Sequence, residues 1–130
     1  MENFQLVGPD DGKTKTSGRG IVIDAGGAAA APVVYMRNVF VEFFGGDVGI
    51  TMNGPEDSCF ESVSVNACDT GWHFDGAFNA NTLVNCAASQ CYTAGVRTLA
   101  SLSNVWVGGL IQSNERDGIK MEAGVGWQFL

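Results

Sequence analysis

The chain is poor in charge, proline and histidine, and each shortage removes a class of answers. Only 16% of its 130 residues are charged against 45% hydrophobic, too apolar a balance for a disordered chain and enough for one globular unit. Cations are the scarcer sign: 7 Lys and Arg face 14 Asp and Glu, and the formal net charge of −7 disfavours nucleic acid and anionic membranes as partners. A single histidine, His73, excludes a multi-histidine metal centre, although not an oxygen-ligand calcium site. No residue pattern calls for a metal or cofactor. No run approaches the ~18 apolar residues of a membrane span, and Met1 to Gly20 lacks the basic flank and apolar centre of a secretion signal. The four cysteines, Cys59, Cys68, Cys86 and Cys91, lack paired C-x-x-C spacing and are expected to be reduced and structural.

Glycine is what the chain has in quantity, 18 residues against 3 prolines, and long runs of strong helix formers are few. Frequent turns between short strands follow, hence an all-β chain. The segments Gly20-Ile21-Val22-Ile23-Asp24, Gly49-Ile50-Thr51-Met52-Asn53, Gly71-Trp72-His73-Phe74-Asp75, Gly95-Val96-Arg97-Thr98-Leu99 and Gly118-Ile119-Lys120-Met121-Glu122 repeat one pattern, with glycine spacings of 29, 22, 24 and 23 residues. Between them lie Asn38-Val39-Phe40-Val41, Ser62-Val63-Ser64-Val65, Leu83-Val84-Asn85-Cys86 and Asn104-Val105-Trp106-Val107. Two period-two strands in every ~23 residues exclude a helical solenoid.

Stacked at ~4.8 Å per strand, the repeats build their own interior. One inward column reads Ile21, Ile50, Trp72, Val96, Ile119 and another Ile23, Met52, Phe74, Thr98, Met121. The second strand is expected to point Val39, Val63 and Val105 inward, with Val41, Val65, Cys86 and Val107 behind them. Each glycine opens a strand, where positive φ or close approach of the neighbouring turn is needed. Asp47, Asp69 and Asp117, just before those glycines, are read as turn carboxylates.

The runs Gly18-Arg19-Gly20-Ile21-Val22-Ile23-Asp24, Arg37-Asn38-Val39, Gly49-Ile50, Ser62-Val63-Ser64-Val65-Asn66 and Gly71-Trp72-His73-Phe74 resemble the pectate lyase-like β-helix superfamily, which includes phage tailspikes. The resemblance covers about residues 18 to 122 and implies a right-handed parallel β-helix of about five rungs. It also implies involvement with polysaccharides, a homo-oligomer, commonly a trimer, and a virion or extracellular setting. It carries over no active site. Residues 1–17 are expected as a cap or linker, with Pro9-Asp10-Asp11-Gly12 as a turn, and 18–130 as rungs. Gly126-Trp127-Gln128-Phe129-Leu130 begins a rung that stays incomplete, so a longer parent chain or another chain is expected over that end.

Function is expected on the outward columns. Val22, Thr51, His73, Arg97, Lys120 form one, and Asp24, Asn53, Asp75, Leu99, Glu122 the next. His73, Arg97, Lys120 and Asp75 are the candidate saccharide contacts, against the plainer reading of a solvated face of mixed charge. On the other strand, the outward positions Phe40, Ser64, Asn85, Trp106 make Phe40 and Trp106 candidates for an oligomer or stacking face. Two functions compete: a structural or saccharide-contacting segment of a spike, and a polysaccharide lyase or glycoside hydrolase. No identifiable catalytic motif and a short chain favour the first.

Overall fold

A computed structural model of the chain describes residues 1–9, 18–25, 32–76, 78–123 and 126–130. The first turn carries β1 (Glu2–Val7) and β2 (Ile21–Asp24), the second β3 (Tyr35–Glu42) and β4 (Val48–Asn53), and the third β5 (Cys59–Asn66), β6 (Thr70–Asp75) and β7 (Phe78–Asn79). The fourth holds β8 (Thr82–Val84), β9 (Ala87–Ser89), β10 (Ala94–Thr98) and β11 (Ser101–Leu102). Then come β12 (Val105–Val107), β13 (Leu110–Gln112) and β14 (Asp117–Met121), with β15 (Gln128–Phe129) returning to lie on β12.

Every ladder between these strands is parallel, and the result is a β-solenoid of about four turns with a ~23-residue spacing. One sheet runs β2-β4-β6-β10-β14. A second begins β1-β3-β5 and then divides, one half continuing through β8-β12-β15 and the other through β9-β13, while β7 and β11 form a short third sheet. The segment read as cap or linker supplies β1, whose Phe4 and Leu6 pair with Val39 and Val41. Of the expected turn after it, Asp10 to Gly12 lie outside the described residues.

The expected ladder Ile21, Ile50, Trp72, Val96, Ile119 is the observed register. Ile50, Met52, Val63, Val65, Trp72, Phe74 and Val96 are fully buried, each contributing ~1.5–3 kcal/mol of apolar transfer. Cys68, Cys86 and Cys91 are buried, Cys59 is partly so, and none is in a disulfide. Burial pushes the Cys86 thiol up to about 12 and the Cys91 thiol up to about 11, so both stay protonated and behave as small apolar groups.

Some inward assignments fail: Ile119 and Met121, which end the two inward columns, are 39% and 48% exposed because no described turn covers them, and the strand after Asn104 is out of phase. Trp106, expected on an outward column, pairs with Leu83 and is 3% exposed, while Val107, expected inside, is 37% exposed. The cause is a corner in the left-handed region: Asn38, Ser62, Asn85 and Gly108 have φ of 52°, 53°, 51° and 62°. Side-chain alternation restarts there. Val105 precedes this corner and pairs with Thr82, whereas Val39 and Val63 follow it and pair with each other. The inward column before the corner is Met36, Phe60, Leu83, Trp106, and the indole Nε1 donates to the Gly108 carbonyl at 2.9 Å.

Asn104 misled that alignment because it belongs to a different corner. It stacks below Asn81, and both are buried. The Asn81 side-chain oxygen accepts from Ser58 N at 2.9 Å, and that of Asn104 from Asn81 N at 3.0 Å. Their amides donate to Pro55 O and Phe78 O at 3.0 Å and 2.9 Å. This ladder satisfies backbone groups that an apolar corner would orphan. Asn114 repeats it elsewhere, accepting from Cys91 N and donating to Ala88 O.

The strand-opening glycines answer to close approach and not to positive φ. A Cβ on Gly71 would lie 2.5 Å from Gly95 O and 3.1 Å from Cys91 Sγ, whereas one on Gly118 would meet nothing nearer than Ile111 Cγ2 at 3.6 Å. Gly71→Ala is expected to destabilise by about 1–3 kcal/mol and Gly118→Ala by well under that, both read from urea midpoints. Asn104→Ala, which leaves Asn81 N and Phe78 O unpaired, is expected to cost about 2–4 kcal/mol in the same measurement.

Candidate functional site

The outward face of the β2-β4-β6-β10-β14 sheet is held by the same register as its buried face. Thr51 pairs with His73, His73 with Arg97, and Arg97 with Lys120, so the column foreseen in the sequence exists with one residue per turn. Its neighbour places Asp24 beside Asn53 and Asn53 beside Asp75, and Asn53 Nδ2 donates to Asp24 Oδ1 at 2.9 Å. Asp75 is committed to its turn: its Oδ1 accepts from Gly76 N at 2.8 Å. At the turn before β4, Asp47 Oδ1 likewise accepts from Val48 N at 2.9 Å and lies 3.6 Å from Arg19 Nε.

Glu122 organises the cationic end of the strip. Its carboxylate accepts from Arg97 Nη2 at 2.9 Å on one oxygen and from Lys120 Nζ at 2.8 Å on the other. Hydrogen bonds from Lys120 and Arg97 hold that carboxyl below its usual range, so it stays ionised near neutral pH. The two cations are therefore partly neutralised within the chain. All three side chains are about a third exposed or more, so the pairs add little stability and leave the strip able to rearrange.

His73 differs from the charged groups around it. Its pKa lies below the usual histidine value, first because of burial and then because of Arg97 and Arg19, with Asp75 and Glu122 pulling the other way. The ring is thus neutral at pH 7. In the same column Thr51 Oγ1, His73 Nε2 and Arg97 Nε are each shut off from solvent without a hydrogen-bond partner among the described residues, as is Arg37 Nε on β3. Three unpaired polar atoms on successive turns are unusual, because such a group costs about 1–3 kcal/mol.

The structure brings His73, Arg97 and Lys120 together, sets Asp75 beside His73 on the same strand, and adds Glu122 and Thr51 to them. Glu122 was visible as a neighbouring column, but its double pairing depends on side-chain reach between turns. The aromatic pair fares otherwise: Phe40 is half-buried and outward over Ser64, while Trp106 is interior, packed edge-on to Trp72 at 5.8 Å. Among the described residues no three His, Cys, Asp or Glu side chains converge as a metal site would require. The chain matches no protein-family model, no curated protein and no solved structure.

A histidine with a lowered folded pKa binds fewer protons than the unfolded chain, so its stability contribution is full above the unfolded pKa of about 6.5 and is lost as pH falls through the folded value. Melting temperature is expected to drop as pH goes from 7 towards 5, and His73→Gln to flatten that part of the profile. An unchanged slope in the variant counts against a neutral, half-buried His73.

Proposed function

We propose that the chain is a saccharide-contacting, non-catalytic segment of a β-helical surface protein, of the kind built into phage tailspikes and other virion or cell-surface spikes. The observation that carries this reading is the register of the outer strip, which lines up His73, Arg97 and Lys120 next to Asp75 and Glu122. A glycan lying along the solenoid axis meets one such side chain every ~4.8 Å. Neutral His73 offers an uncharged ring, Arg97 and Lys120 offer charge-assisted donors, and Asp75 offers an acceptor for hydroxyls. An anionic sugar competes with Glu122 for the two cations, which keeps the contact modest and sensitive to salt.

Cleavage by a pectate lyase-like lyase or hydrolase fits this strip less well. A glycosidase acid must hold its proton near neutral pH, and Glu122 is biased towards the ionised form by two cations. Asp75, the other carboxylate, spends one oxygen on its own turn. Half-buried Phe40 on the outside of β3 suits burial against another copy, in keeping with the homo-oligomer that the tailspike resemblance implies.

Arg97→Ala combined with Lys120→Ala is expected to weaken retention on a polygalacturonate affinity gel about tenfold at low salt, with no change in released reducing sugar. Equal retention by variant and parent removes the strip from the reading. Release of sugar by the parent and its loss in the variant replaces the binding function with a catalytic one.

A further inference from the structure

A second site is written into the corner between the two large sheets. Phe43, Ala67, Gln90 and Ser113 occupy the same left-handed corner on successive turns, with φ of 63°, 51°, 55° and 54°. Two residues further on, Tyr92 and Glu115 flank this column, and together the six line a cleft of about 400 Å³, within the ~300–1,000 Å³ range of small-molecule sites. Ala67 forms a low floor between Phe43 on one turn and Gln90 on the next but one. Phe43 holds a conformation that bulky residues rarely adopt, whereas the other turns place Ala, Gln and Ser there.

The polar residues of the cleft also break a habit of the molecule. Elsewhere outward side chains pair from turn to turn: Asn38 with Asn3, Ser89 with Asn66, Thr93 with Asp69, Asn79 with Glu56. The side chains of Gln90, Ser113 and Glu115 make no hydrogen bond or ion pair with any described residue. An aromatic wall, a small floor and three polar side chains left free are thus gathered in one recess.

We infer that this cleft binds one hexopyranose ring of a neutral saccharide. The C–H face of such a ring carries slight positive charge and packs on the electron-rich faces of Tyr92 and Phe43. Its hydroxyl groups donate to the Glu115 carboxylate and the Gln90 oxygen and accept from the Gln90 amide and the Ser113 hydroxyl. Glu115 is the one charged residue in the lining of the cleft, and its carboxylate disfavours a uronic acid, so the ligand differs in charge from that proposed for the strip. The inference does not depend on the strip.

The test is an NMR titration of the full ¹⁵N-labelled chain with methyl β-glucopyranoside, methyl β-galactopyranoside and N-acetylglucosamine. Each is taken to about 50 mM, well above the ~1 mM dissociation constant of a weak single-ring contact. Saturable shifts centred on the amides of residues 43, 67, 90, 92, 113 and 115 are expected with at least one sugar. Tyr92→Ala is expected to raise the dissociation constant about tenfold and Gln90→Ala about threefold. Gln90 is exposed, so its variant keeps the test valid if Tyr92→Ala fails to fold. The Arg97→Ala and Lys120→Ala double variant should bind these neutral sugars as the parent does, which separates the two sites. No saturable shift with any of the three sugars, or shifts that both cleft variants leave unchanged, overturns the inference. So does line broadening at the same amides that disappears on dilution, because it shows that a second copy covers the cleft.

Discussion

Parallel backbone pairing between successive turns is the interaction on which everything else rests. A parallel strand cannot pair with its immediate sequence neighbour through a tight hairpin, so each partner lies a full turn away. From Cys59 onward the pairing offset along the sheet through β5, β8, β12 and β15 is constant, Cys59 with Thr82, Thr82 with Val105 and Val105 with Gln128, and in the neighbouring sheet it differs by one residue at Trp72 with Val96. Earlier turns are longer, with Phe4 on Val39 and Ile21 on Ile50, yet the register on arrival is the same. Extra length is absorbed between strands because a slip of one residue would turn every inward side chain out to solvent.

That pairing imposes two local demands, met by different residues. Where backbones of adjacent turns converge at the start of a strand there is no room for a Cβ, and Gly49, Gly71 and Gly95 answer. Where the chain turns a corner it needs left-handed geometry, and Asn38, Asn85, Ser62 and even Phe43 supply it. Corners also strand backbone donors and acceptors inside the coil. Asn81, Asn104 and Asn114 complete them with an amide that can donate and accept at once. Aromatic contacts then fill the space within: Phe74 stacks on Phe78 at 4.3 Å, and Trp72 meets Phe60 at 6.2 Å.

The outer face inherits this order without needing it for stability. Arg97, Lys120 and Glu122 are exposed enough that their pairing contributes little to folding, so packing does not dictate composition there. The corner cleft follows the same logic, with Glu115 as its one charged lining residue. A solenoid repeats a surface position at every turn, so the outer strip and the corner cleft are both files of residues stacked from different turns.

Glycine spacing and alternating residues are local facts, and they are enough to establish the parallel solenoid, its ~23-residue period and the register from Ile21 to Ile119, of which the residues through Val96 are buried. They also placed His73, Arg97 and Lys120 in one file, because strand alternation carries the outward residues along with the inward ones. By itself the sequence determined that much. It does not settle side-chain parity across a left-handed corner: Asn104 resembles Asn38 in local sequence but stacks with Asn81, and Trp106 belongs in the core and not on the outward column. The clamp on Glu122, the lowered pKa of His73 and the absence of described partners for the Gln90, Ser113 and Glu115 side chains were decided by tertiary structure alone. Each depends on distances between residues of different turns, and those exist only after backbone pairing has laid one turn on the next.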